Sequence, residues 1–259
     1  MNKNKYLIIN YAVVILATLI IFFRYNYEQM SNEKQSASCM LQSYQKKMPE
    51  NRITIYNNTA GEGFDISKYQ GEINWQKALM HHKIGFLYVR ATYGTTIKDK
   101  YYTQNVDSAL SHYIPIGSYH YYINTASPEE QFECFMSMVN VEKQDLIPMV
   151  DVEDDVFGPS ILWNPKKLQT FLDLVENEFG TKPIIYTNKR FYNSYLYKNF
   201  SEYPIWIAAY SRSFGKLRGG KQYLLWQYSD KGRINGIYEY IDKNRLHPDA
   251  TIKDLLLKK

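Results

Sequence analysis

The chain has 259 residues, 45% of them hydrophobic and 22% charged, which is inside the globular range and enough for one sizeable core. Its net charge of +5 includes no Lys/Arg block, which argues against a nucleic-acid-binding arm while favouring contact with anionic polymers or surfaces. Tyrosine is the outlier, with 25 residues against 12 Phe and 4 Trp, and its ring suits either core packing or stacking on a flat apolar ligand face.

From the N-terminus, Tyr6 to Phe23 is an almost unbroken apolar run of 18 residues preceded by Lys3 and Lys5, close to the length that spans a bilayer. No small-residue cleavage site follows it. The flank Arg24-Tyr25-Asn26-Tyr27 suits an uncleaved signal anchor with interfacial aromatics, so residues 1–24 are expected to be a cytoplasmic tail and transmembrane helix. The remainder would then lie outside the cytoplasm, or be secreted if the segment were cleaved. Residues 25–60 are rich in Gln, Ser, Asn, Lys and Glu and read as a polar linker, with only Ile53 to Tyr56 resembling a strand. The two cysteines, Cys39 in this linker and Cys134 in an expected helix, suggest no disulfide framework.

The folded domain is expected over residues 61–259. Strand-like runs alternate with helical segments: Gly63–Ile66, Ile84–Ala91, Ile114–Tyr121, Leu146–Val152, Pro183–Thr187, Ile205–Tyr210 and Leu224–Tyr228. Such alternation predicts an α/β fold with a largely parallel sheet. Helix starts are written at Ser127-Pro128-Glu129-Glu130 and at Asn164-Pro165, the latter helix ending at Gly180. Seven or eight strands in about 200 residues leave too little chain for eight full helices, because a complete (β/α)₈ barrel takes about 250. A compact, irregular barrel is therefore expected.

In parallel α/β folds the chemistry gathers at the carboxyl ends of strands. Asp65 closes the first run, Asp151 and Glu153 the fourth, and Asp242 follows the weakly apolar Ile237–Ile241 stretch. Side chains at i and i+2 of a strand share a face about 6 to 7 Å apart, so Asp151 and Glu153 project together while Val152 points away. Carboxylates this close disfavour simultaneous ionisation, and one should retain its proton towards neutral pH. Glycoside hydrolysis needs such a proton donor beside a second carboxyl group, and Glu153, with the longer side chain, is the expected donor. Acid pairs also cap helices or hold cations, so the spacing alone does not decide. His81, His82 and His112 have no metal-ligand spacing and read as solvated surface. His120, at a strand end among tyrosines, suits substrate contact and core packing equally. No phosphate loop or nucleophile elbow is present.

Several ordered segments resemble glycoside hydrolase family 25, the Chalaropsis-type lysozymes. Gly63-Phe64-Asp65-Ile66-Ser67-Lys68-Tyr69-Gln70 with Ile73 and Trp75 is similar to the family's opening Asp-x-Ser-x-x-Gln motif. Phe86–Thr92, Gly117–Tyr122, Pro148–Glu153, Pro204–Tyr210, Leu225–Tyr228 and Ile241–Asn244 resemble its later strands in the same order, over residues 61 to 246. The resemblance implies a modified, partly helix-depleted TIM-like (β/α) barrel, with no cofactor or metal and an expected monomeric catalytic domain. It implies hydrolysis of the β-1,4 bond between N-acetylmuramic acid and N-acetylglucosamine in peptidoglycan. Glu153 would be the general acid, Asp151 its partner carboxylate, and Asp65 and Asp242 the flanking acids. Tyr119, Tyr121, Trp206, Tyr210, Trp226, Gln227 and Asn244 would contact substrate. Two positions depart from the family pattern: Tyr93 stands where Glu commonly follows Ala-Thr, and Asn74 where Asp commonly precedes Trp75. Rival readings are a hydrolase of another N-acetylglucosamine-containing glycan and a catalytically silent, membrane-anchored wall-binding module.

Overall fold

The computed structural model describes residues 22–27, 29, 62–153, 163–211 and 215–258. The chain divides into two compact units, residues 1–54 and 55–259. In the first, residues 22–27 are helical and exposed. The rest of the apolar run Tyr6–Phe23 lies outside the described residues, as do Cys39, the Ile53–Tyr56 run and Asp154 to Gly158. Among the described residues no helix is long and apolar enough to cross a membrane.

The second unit is a closed barrel. Its strands are β1 (Glu62–Ile66), β2 (Leu87–Tyr93), β4 (Ile116–Tyr121), β5 (Met149–Asp151), β6 (Ile184–Asn188), β7 (Ile205–Ala208), β8 (Leu225–Gly232) and β9 (Ile241–Leu246), and a two-residue β3 (Ile97–Lys98) pairs with the end of β2. Around the barrel the order is β1-β2-β4-β5-β6-β7-β8-β9, and β9 returns to β1. Seven strands run parallel, whereas β9 is antiparallel to both its neighbours.

Each of the seven expected apolar runs carries a strand. The last strand corrects the expectation, because Ile237–Ile241 does not precede Asp242 as a strand. Instead β9 begins at Ile241 and continues through Asp242, Lys243, Asn244 and Arg245. No apolar alternation marks this strand. Asn244 faces the polar interior, while the outward Arg245 lies 4.0 Å from the Trp226 ring and Lys243 reaches the Tyr228 ring.

Helices α1 (Trp75–His81), α2 (Tyr102–Ser111), α3 (Pro128–Met136) and α4 (Pro165–Phe179) cover the strands from β1 to β6. The α4 sequence shows why it forms. Asn164 caps its first turn by accepting from the Lys166 and Lys167 amides, Pro165 takes the first helical position, and Gly180 ends it at φ +67°. Leu168, Phe171, Leu172, Val175 and Phe179 fall on one face and are buried in the layer between helices and barrel. Ser127 likewise caps α3, accepting from the Glu130 amide with Pro128 next to it.

The barrel interior is filled by large rings set against small neighbours. A Cβ at Gly63 would come within 2.4 Å of the Phe86 ring, and one at Gly117 within 2.5 Å of the Tyr88 ring, so those two positions exclude a side chain. Below these rings, the C-terminal turn Ile252–Leu255 plugs the floor, where Ile252 and Leu255 join Leu146 and Met149 in one apolar cluster. Backbone bonds from the Ile147 amide to the Leu255 carbonyl and from the Leu257 amide to the Asp145 carbonyl hold the plug in place.

Candidate active site

The strand ends opposite the floor form the mouth. Asp65 and Asp242 meet there as register partners on β1 and β9, since the start of the antiparallel β9 lies beside the end of β1. Asp151 ends β5, in register with Tyr121 on β4 and Tyr186 on β6. Glu153 lies just beyond the strand and is half-buried, while Val152 between the two acids is turned into the helix layer. Alternation thus continues past the last ladder bond, and both acids take the mouth side.

A hydrogen-bond chain organises the Asp65 side of the mouth. Asp65 Oδ2 accepts from Gln227 Nε2 at 2.9 Å and from Asn244 Nδ2 at 2.7 Å. Gln227 Oε1 in turn accepts from the hydroxyls of Tyr186 at 2.7 Å and Tyr210 at 2.6 Å. Trp206 Nε1 donates to Asn244 Oδ1 at 3.1 Å. Burial raises the Asp65 pKa, and the bonds from Asn244, Gln227 and Asp242 pull it back down. The same contact has the opposite effect on Asp242, whose pKa is pushed up to about 8 by burial, by the charge of Asp65 and by the hydrogen bond between them. Asp242 therefore holds the proton of this pair near neutrality, donating it to an Asp65 carboxylate that the amides keep charged.

The Asp151 carboxyl is in a different position. It is buried, and its Oδ1 has no hydrogen-bond partner among the described residues. Burial raises its pKa well above the usual carboxylate range, the charges of Glu153, Asp65 and Asp242 add to this, and Arg90 alone among its named neighbours opposes it. Arg90 is itself held by Asp99, through Nε at 3.2 Å and Nη2 at 3.1 Å. Asp99 also accepts from the Lys68 and Tyr101 amides, tying the turn after β1 to the turn after β3.

The other expected site residues divide by burial. Tyr121 and Tyr210 stand at the mouth, and Gln227 and Asn244 lie just beneath it. Tyr119 lies deeper and is 7% exposed, inside the barrel cluster. Trp206 corrects the expectation of a groove-lining ring, because it is fully buried between Tyr88 and Tyr186 and meets the site through its bond to Asn244. Trp226 is buried too, donates to the Ala209 carbonyl at 2.8 Å and is covered by Arg245. His120 is core: it bonds Thr92 Oγ1 at 2.7 Å and stacks on Phe171, and burial lowers its pKa to about 3, leaving it neutral. Asn74 caps α1 by accepting from the Lys77 amide, a task Asp performs equally well, so this departure from the family pattern is structural. Among the described residues no His/Cys/Asp/Glu group is arranged to hold a metal. Sequence reasoning missed Tyr186, Arg90 and Asp99. Tyr186 and Arg90 sit in segments singled out for their strand pattern, but only the closed barrel turns them towards the acids, and Asp99, just after β3, lies in a stretch that carried no such signal.

The sequence profile of glycosyl hydrolases family 25 matches residues 64–237. The chain belongs to that family. An autolytic lysozyme of Clostridium acetobutylicum is 31% identical over 68% of this chain and 52% of its own length. The YegX protein of Escherichia coli K12 is 32% identical over 74% and 71%. A family 25 glycosyl hydrolase from Bacillus anthracis superposes with a TM-score of 0.67 at 28% identity, covering 74% of this chain and 90% of that one. The family 25 barrel and the barrel described above share one fold.

Proposed function

We propose that this family 25 protein is a peptidoglycan hydrolase that cleaves the β-1,4 bond between N-acetylmuramic acid and N-acetylglucosamine. The observation that carries the reading is the set of acids at one mouth, with Asp242 titrating at about 8 and Asp151 raised well above its ordinary range. A field this negative stabilises an oxocarbenium-like centre and keeps a carboxyl group protonated near neutral pH. The lysozyme and muramidase names of the relatives support the choice of glycan.

Glu153, half-buried at the rim, reaches the bridging oxygen and donates its proton as the C1–O bond breaks. Asp151, whose carboxyl group ends β5 at the mouth and is 7% exposed, accepts the N–H of the substrate's acetamido group. The acetamido carbonyl oxygen then attacks C1 to form a cyclic intermediate, and water opens it while returning a proton to Glu153. Asp65, Asp242 and their amide and hydroxyl partners fix the charge around that centre. The apolar run Tyr6–Phe23 tethers the barrel to a membrane with the mouth outside the cytoplasm, and carbonate extraction of membranes, which retains spanning but not peripheral protein, checks this.

The test is clearing of purified peptidoglycan by the full-length chain and by Glu153→Gln. A loss of at least about 100-fold is expected, with melting temperature retained because the change is nearly isosteric. Equal clearing by both proteins removes Glu153 as the acid, and no clearing by either favours a silent wall-binding module. New reducing ends must be muramic acid; glucosamine ends would replace this specificity with another.

A further inference from the structure

We infer that Tyr93, resting on the activity proposed above, is a sugar-stacking platform that fixes where the glycan crosses the mouth. Tyr93 ends β2 and is in register with Tyr121 at the end of β4, and the rings stack with centroids 4.6 Å apart and planes 24° off parallel. Tyr121 is in turn the register partner of Asp151, so the stacked pair stands directly beside the acids. Both rings are half-buried, and the Gly94 amide bonds the Tyr121 carbonyl at 3.0 Å, clamping the turn that carries Tyr93. The pair is rigid and broad, apolar on its faces and polar at its hydroxyl edges, which suits the C–H face of a hexosamine ring.

The order of strands gives this platform a partner. Around the eight-strand ring, β2 and β4 lie opposite β7 and β8. Tyr210, which follows β7, is 55% exposed and is anchored through its hydroxyl to Gln227 on β8. The acids occupy the other diameter, Asp151 on β5 facing Asp242 on β9. A glycan strand lying from Tyr93 to Tyr210 thus carries one ring onto each aromatic wall and its linking bond across the acids between them. A carboxylate at position 93, as in the family pattern, would add charge beside Asp151 and offer no face for stacking.

The experiment compares kcat and KM of the full-length chain on soluble, uncrosslinked glycan strands for Tyr93→Ala, Tyr93→Glu and Tyr93→Phe. We expect Tyr93→Ala and Tyr93→Glu to raise KM about tenfold, the size of one aromatic contact, with the kcat of Tyr93→Ala, which adds no charge beside Asp151, within about twofold. Tyr93→Phe, which keeps the ring, should recover most of that loss. Thermal melts exclude a folding defect, and Tyr93→Leu takes the place of the alanine variant if that one unfolds. Wild-type cleavage with unchanged KM in Tyr93→Ala overturns the platform and leaves the activity standing. If the wild type does not cleave, calorimetric binding of the same strands decides, and equal affinity of the wild type and Tyr93→Ala overturns the platform on its own.

Discussion

At the floor of the barrel, Leu146, Ile252 and Leu255 are buried among apolar neighbours, whereas at the mouth the buried Asp65 and Asp151 crowd together with the half-buried Asp242. The floor gains stability from every atom it removes from water. The mouth gives stability up, because burial and mutual repulsion hold its acids away from the charge state they prefer in water. One closed sheet supports both, and the contrast indicates that the floor offsets what the mouth costs.

Truncating the floor gives the largest effect on stability. Leu255→Ala should cost about 3 kcal/mol, the usual size for a fully buried leucine, with kcat unchanged. Denaturant titration beside an activity assay checks this, and a fall in kcat with stability intact would mean the two ends are mechanically coupled. Asp151→Asn should act in the opposite sense, abolishing most activity while stabilising the fold at pH 7, since the unfolded chain no longer gains by ionising there. A lower melting temperature for this variant would contradict an energetically costly mouth.

The smallest effect is a slope. The folded pKa of Asp242, about 8, exceeds its ordinary unfolded value near 3.9, so the native state holds more protons between those limits. The stability linked to this group is fully present below about pH 4 and is lost as pH rises towards 8. Melting temperatures at pH 5, 6.5 and 8 should therefore decline, and less steeply in Asp242→Asn. Identical slopes would place the proton of the Asp65–Asp242 pair elsewhere.

Period and punctuation wrote much of this fold into the chain. The apolar runs mark seven strands, Asn164-Pro165 and Gly180 bound α4, and the chain length allows a barrel but too few helices for a full set. These are local properties, set by side-chain size, φ preferences and alternation within one segment, and the sequence determines them by itself. The family and the barrel's acids were legible for the same reason, as ordered motifs at segment ends.

Other features depended on closure. β9 carries charges on both faces, so no local period announces it; it exists because Asn244 bonds Asp65 and Arg245 covers Trp226 across the sheet. Trp206 and Tyr93 looked unlike their roles in the sequence. One ring is sealed inside to orient Asn244, and the other is lifted to the mouth against Tyr121. Burial, register and the sharing of a proton between Asp65 and Asp242 are relations between residues up to 183 positions apart, as Glu62 and Arg245 are, and only the tertiary structure brings such partners within reach.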